Sequence, residues 1–200
     1  MVRPRTFDES TVLEAAAAQF RVHGYADTST EQLCEAADVR RSSLYNAFTS
    51  KDELFVRALE HYASTMRAIQ ESILTDVSLS GADRIRKLID AIVEEERVAR
   101  AEGHAAGCMG VHTLMNPDLR ARNERIARIL ERDLQKRLGL LEETIRAGRA
   151  DGSMPGGPDA GEGALLVNTL ISGIRVTAQT GVTPDVLHRI ALDGLRSLLG

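Results

Sequence analysis

Residues 23–55, HGYADTSTEQLCEAADVRRSSLYNAFTSKDELF, read as a short helix, a turn, a second short helix and the start of a third. Leu33, Ala36 and Ala37 give the first short helix a small apolar face. Asp38-Val39 forms the turn, and Arg40-Arg41-Ser42-Ser43-Leu44-Tyr45-Asn46 opens the second. Small side chains let the second helix cross the first closely, as a helix-turn-helix requires. Its outward positions then suit a major groove: Arg bonds guanine edges or phosphates, Asn adenine edges, and Ser either. Short polar helices after turns are common, so this segment alone leaves open a helical bundle that binds only a protein partner.

The flanking chain is helical throughout. Phe7, Val12, Leu13, Ala16, Ala17 and Phe20 follow one helix face, and Gly24 is expected to stop that helix. Thr6…Glu9, Ser29…Gln32 and Ser50…Glu53 match a capping box, in which a hydroxyl accepts from a free amide of the first turn and the residue at N3 reaches back. Ser80…Asp83 and Asp159…Glu162 are looser versions. Asn116-Pro117-Asp118 and Thr183-Pro184-Asp185 set a cap residue before a proline at the first helical position. These marks predict an all-α chain of about nine helices. They fall near residues 7–23, 30–37, 41–47, 51–76, 81–102, 105–115, 117–149, 160–180 and 184–199, with DGSMPGGP (151–158) as the clearest loop.

The 200 residues carry a net charge of −4, and residues 1–62 hold seven Lys and Arg against ten Asp and Glu. No global basic field advertises nucleic acid, although a binding face needs only a local cluster. No apolar stretch approaches the roughly 20 residues of a membrane span, and no signal-peptide core is present. A cytoplasmic protein without membrane contact is expected, with Cys34 and Cys108 as reduced thiols. There is no Gly-rich phosphate loop, nucleophile elbow or His-Glu-x-x-His signature, which argues against an enzyme. The Glu94-Glu95-Glu96 run reads as a solvated helix face, and no cofactor is expected. All seven aromatics, Phe7, Phe20, Tyr25, Tyr45, Phe48, Phe55 and Tyr62, fall in the first 62 residues. Two regions with such different cores are expected to be two domains.

The wider string resembles the DNA-binding domain of the TetR family of bacterial transcriptional regulators. The resemblance rests on Gly24-Tyr25 after the first helix, Ser29 capping the second, Val39 after the turn, and the spaced set Tyr45-x-x-Phe48-x-x-Lys51-x-x-Leu54. It covers about residues 7–60. Asp38 stands where the family usually has Gly, and Cys34 where it usually has Ala. Asp tolerates a left-handed turn better than most residues, and Cys packs much like Ala. The resemblance implies a three-helix helix-turn-helix domain over residues 1–50 and a helical ligand-binding and dimerisation domain over 51–200. It also implies a regulator, most simply a repressor, that binds a palindromic double-stranded operator as a homodimer and is released by a small-molecule effector. The DNA contacts implied are Arg40, Arg41, Ser42, Ser43, Tyr45 and Asn46 on the recognition helix or at its start. Tyr45 and Lys51 would hold phosphates, Ser29 and Thr30 would offer the second helix's N-terminus, and Arg3 and Arg5 would form a basic arm. The alternatives are a tail free of DNA for Arg3 and Arg5 and a packing role for Tyr45.

Beyond about residue 60 the residues have to be read on their own. Ala164, Val167, Ile171, Ile174 and Ala178 share one apolar stripe; Leu187, Ile190, Ala191, Gly194 and Leu198 share another. Paired with their symmetry mates these would form a four-helix dimer interface, the alternative being an intramolecular core. His104, Cys108 and His112 recur every four residues, but eight helical residues span roughly 12 Å, too far for one zinc ion, so no metal is expected. Cys108 has two readings, an inert packed thiol or a redox- and electrophile-sensing one. Met66, Cys108, Met109, His112, Met115 and Arg175 combine apolar lining with polar handles and form the candidate effector pocket. Without rings beyond Tyr62, the expected effector is aliphatic, amphipathic or small and polar rather than a planar aromatic cation.

Overall fold

The computed structural model describes residues 8–105 and 107–199, and among these every regular element is a helix. α1 (Glu9–Asp27) starts at Asp8, whose carboxylate accepts from the Ser10 amide and the Thr11 hydroxyl. Thr6 and Phe7 of the expected start, with Arg3 and Arg5, lie outside the described residues. Gly24 kinks α1 rather than ending it: at φ 75° and ψ 174° it turns the chain, and the helix resumes to Asp27. Only glycine adopts that conformation at no steric cost. α2 (Thr30–Ala36) carries the complete Ser29/Gln32 capping box, and Asp38 makes the turn with φ 50°. α3 (Arg41–Phe48) follows, then α4 (Lys51–Leu74), where the Glu53 amide donates to the Ser50 hydroxyl at 3.1 Å.

The remaining helices are α5 (Gly81–Ala101), α6 (Met109–Leu114), α7 (Pro117–Arg122), α8 (Glu124–Ala150), α9 (Ala160–Ala178), α10 (Pro184–Gly194) and α11 (Arg196–Leu199). Eleven helices among the described residues thus stand where nine were expected. The expected helix at 105–115 shrinks to α6, because Gly103 and Gly107 adopt φ 87° and 64°. The long one at 117–149 breaks at Asn123, which is extended and uses its side chain to cap α8 by accepting from the Arg125 amide. The last breaks at the fully buried Leu195.

Two hydrophobic cores follow. Phe20, Phe48, Phe55 and Tyr62 pack with Leu33, Leu44 and Leu59 in one, which also draws Met109, Leu119, Ile126 and Ile129 from α6, α7 and α8. The other, built from α5, α8, α9, α10, α11 and the end of α4, contains no ring; Ile85, Ile89, Leu141, Ile145, Val167 and Leu198 are among its most enclosed side chains. α4 gives Leu54 through Tyr62 to the first core and Ile73 and Leu74 to the second. Burial of each large apolar side chain contributes about 1.5–3 kcal/mol, so this helix is anchored at both ends.

α5 and α8 meet backbone to backbone: a Cβ placed on Gly81 would lie 2.4 Å from the Gly148 Cα. The 151–158 segment is more than a connection. Asp151 accepts from the Gly81 amide at 2.9 Å, the Ser153 hydroxyl accepts from the Ala82 amide at 3.1 Å, and Met154 is fully buried. It caps α5 from a distance of seventy residues.

Candidate functional site

The first site is the outward face of α3. Leu44 and Phe48 are buried and lock the helix, which leaves Arg40, Arg41, Ser42 and Asn46 exposed and Ser43 and Tyr45 half-buried. Arg41 lies 5.6 Å from the Tyr45 ring and donates to exposed Glu31 at 3.0 Å. The Tyr45 and Thr30 hydroxyls are 3.1 Å apart, so Tyr45 packs and presents its oxygen at the same time. Ser29 is committed to its capping box, its hydroxyl accepting from the Gln32 amide. Lys51 sits at the start of α4 with its ammonium 4.4 Å from the Tyr25 ring centre. Burial lowers its pKa below the usual lysine range. A bond from the Tyr25 hydroxyl to Asp52 steadies that ring.

Most of the two C-terminal stripes is buried within the protomer. Val167, Ile171, Ile174, Leu187 and Leu198 are buried in the protomer's own aliphatic core, where α9 packs on α5, α8 and α10. Gly194 instead accommodates Leu170, whose side chain would lie 3.0 Å from an added Cβ. Of the expected interface set only Ile190 is a large exposed side chain, at 56%, in company with Leu165 at 53% and Val176 at 52%. Period-3.6 spacing identifies a buried face without saying which chain buries it.

The second site is a cavity of about 440 Å³ between α4, α6, α7, α8 and α9. Of the six residues proposed from the sequence for an effector pocket, Met66, Cys108 and Arg175 line it. Met109, His112 and Met115 do not; they border a separate open cleft against the end of α1, beside Phe20, His23 and Tyr25. Met109 is packed into the aromatic core and Met115 is 78% exposed. The expectation of a pocket without a ring is also corrected, since α4 carries Tyr62 into the wall. Among the described residues no three His, Cys, Asp or Glu side chains cluster as a metal site would require.

Charged groups behind this cavity tie it to α1. Arg175 donates to Glu96 at 2.8 Å and to Glu95, and Arg21 of α1 donates to the other oxygen of Glu95 at 2.8 Å. The Arg21 guanidinium also lies 5.3 Å from the centre of the Tyr62 ring. Burial opposes the charge on Arg175, and Glu95 with Glu96 outweighs it, holding the guanidinium above the ordinary arginine range. The acidic run is therefore not solvated throughout: Glu94 is exposed, but Glu95 is half-buried and the Glu96 side chain is only 2% exposed. Glu96 continues the spacing of Ile89, Ile92, Val93 and Ala99, the one sequence signal that places it inside.

Comparison with known proteins agrees with this geometry. The family model for bacterial regulatory proteins of the tetR family matches residues 12–58. The chain is 28% identical over 196 residues to the HTH-type transcriptional repressor ComR of Escherichia coli strain K12, covering 97% of this chain and 90% of that protein. It is 31% identical over 121 residues to the HTH-type transcriptional repressor BdcR of the same organism, covering 60% of this chain and 59% of that one. It superposes with a TM-score of 0.78 and 30% identity on a cysteine mutant of the TetR family transcriptional regulator CifR complexed with 26-bp double-strand operator DNA, over 98% of this chain and 99% of that one. A helix-turn-helix at the N-terminus, an all-helical body behind it and full-length similarity to such regulators lead to one conclusion: the chain belongs to the TetR family of bacterial transcriptional regulators.

Proposed function

We propose that this protein is a cytoplasmic repressor that binds a palindromic operator as a homodimer and releases it when a small molecule fills the cavity of α4, α6, α7, α8 and α9. The observation that carries the reading is the shared carboxylate of Glu95, which joins the cavity's Arg175 to Arg21 of the DNA-reading helices. Residues 1–50 are the head and 51–200 the body, with α4 packed into the cores of both. On the operator, Arg40, Arg41, Ser42, Ser43 and Asn46 read base edges or phosphates, and Arg41 exchanges Glu31 for DNA. Tyr45 and Lys51 hold the phosphate strand, Lys51 at the amide-rich start of a long helix. Ser29 and Thr30 approach the backbone, and Arg3 and Arg5 extend the basic surface.

A two-fold pairing of α9 and α10 covers Leu165, Val176 and Ile190, with Thr169 and Gly173 on the same exposed face of α9. Two heads so related suit half-sites about one helical turn, or a multiple, apart. An effector shifts the equilibrium only by its differential affinity for the two head spacings. Repositioning Arg175 changes the tie of Glu95 on Arg21. No helix among the described residues is long and apolar enough to cross a membrane, and the reading assigns the chain no catalytic step.

Selection of bound sequences from random DNA, followed by mobility shift, tests the proposal. A two-fold symmetric site bound by a dimer is the expected result; binding no tighter than to random DNA at equal salt would overturn it. A second reading keeps the same head and makes Cys108 a sensor thiol, favoured by its half-buried place in the cavity wall. Mild alkylation of the folded protein decides: a labelled Cys108 with lost operator affinity supports it, and an unlabelled one removes it.

A further inference from the structure

We infer that the cavity takes an uncharged, mainly aliphatic molecule with one oxygen acceptor, held at its buried end by the Tyr62 hydroxyl. This rests on the cavity being the effector site. Leu59, Met66, Ile92, Leu130, Leu134 and Ile171 make most of the wall apolar. The buried charges near that wall are already engaged. Arg175, 7% exposed, is held by Glu95 and Glu96. Arg137 donates to Asp133 at 3.2 Å and to Asn168 at 2.9 Å, and Asp133 also faces Arg67 at 3.4 Å. Arg120 and Glu131, of opposite sign, are exposed on the lining, where water screens both. A ligand carboxylate or ammonium drawn to the deep end beside Arg175 would have to separate that arginine from Glu95 and Glu96, and a buried charge stripped of its partner is strongly destabilising.

Tyr62 offers what a neutral ligand needs. The residue is 8% exposed and lines the cavity, which places its ring and hydroxyl in the wall. Burial, with a smaller contribution from Cys108, raises its pKa far above the ordinary phenol range, so it remains a proton donor at neutral pH. The Arg21 guanidinium lies 5.3 Å from the ring centre, and the hydroxyl is assigned to a ligand carbonyl or ether. An oxygen bound there sits against the same ring that Arg21 touches, placing the recognition event beside the link to α1.

The test titrates the full-length protein with 2-octanone, octanoate and octylammonium, three probes of similar chain length and different charge, by calorimetry and thermal shift. Expected is one 2-octanone site per chain, at least tenfold tighter than either ion. Tyr62→Phe should weaken 2-octanone about five- to tenfold, the loss of one hydrogen bond, while leaving the ligand-free melting point unchanged. A structural hydroxyl would lower that melting point and leave the ketone's affinity intact. The inference is overturned if either ion binds as tightly as the ketone, if Tyr62→Phe leaves the ketone's affinity unchanged, or if no ketone binds at millimolar concentration. Operator binding by the ligand-free protein, measured in parallel, separates the two readings. Retained operator binding with failed ketone binding condemns only the ligand class; lost operator binding condemns the regulator.

Discussion

The surroundings of the aromatic core and the rest of this molecule hold their cations in different ways. Around the aromatic core, Lys51 rests on Tyr25, Arg41 on Tyr45, Arg57 on Phe48 and Arg21 on Tyr62, at 4.4–5.6 Å from the ring centres, and all but Lys51 also pair with an acid, Arg41 with Glu31, Arg57 with Glu9 and Arg21 with Glu95. Lys51 has no ion pair among the described residues, so its ring seat leaves its charge available to a phosphate. In the body, where no ring follows Tyr62, cations are held by acids: Arg175 by Glu95 and Glu96, Arg137 by Asp133, Arg97 by Asp185. An acid neutralises the charge it orients, whereas a ring orients without neutralising. The same contrast appears in packing. The first core packs Phe20, Tyr25 and Phe55 with ring centres 4.9–6.2 Å apart, large area per side chain, while α5 and α8 bring their backbones together at glycines.

The strongest challenge to this contrast is Arg175→Met. It should strip the guanidinium from the buried Glu96 and cost about 3–5 kcal/mol in urea unfolding; a loss below about 1 kcal/mol would mean that the acids do not hold the body together. Gly81→Ala comes next, at about 2–3 kcal/mol, because its Cβ would strike the Gly148 backbone, which no rotamer change can relieve. Gly139→Ala, with nothing within 4 Å of the new carbon, should instead gain about 0.5–1 kcal/mol and serves as the control.

In the head the expected changes are in binding. Tyr45→Ala with Lys51→Ala should weaken operator and random DNA alike by about 10- to 30-fold, and lower the slope of affinity against salt by about one to two. Unchanged operator affinity at fixed salt would remove both phosphate assignments. The smallest effect concerns Tyr25, whose pKa is raised to about 12, first by burial and then by the bond to Asp52. The unfolded phenol ionises near pH 10 while the folded one stays neutral, so its contribution is complete below pH 10 and is lost as pH rises to about 12. With solvent screening of a half-exposed ring this amounts to about 1 kcal/mol, and Tyr25→Phe should flatten the alkaline limb of the stability curve by that amount.

What could be read from the chain alone was local. The Ser29/Gln32 box, the Ser50 cap, the left-handed Asp38 turn and the order of residues on α3 all act within about four positions of one another, which is the range of helix caps and faces. The stripes on α9 and α10 were legible as buried faces but not as to their burier, and the protomer itself proved to be it. Residues at long separation carried no signal: Arg21 meets Glu95 across 74 positions and Glu95 meets Arg175 across 80. Met109 and His112 have the side-chain types of pocket residues, yet Gly107 turns the chain before α6 and they border a different cleft. Tyr62 escaped notice because the aromatic count put it with the head, whereas a 24-residue helix carries it past the head's edge into the cavity.

The contact of Gly81 with Gly148 has a mechanical consequence. With no side chains between the two backbones, α5 cannot slide on α8 by swapping rotamers, and a displacement of α5 there is a rotation about a fixed point. Glu95 lies fourteen residues further along α5, roughly 21 Å from that fulcrum. A turn of only about 3° at Gly81 therefore moves the Glu95 carboxylate by about 1 Å, enough to make or break a hydrogen bond. The glycine pair converts a small angular change of α5 into a linear one at Glu95, where Arg21 is bound.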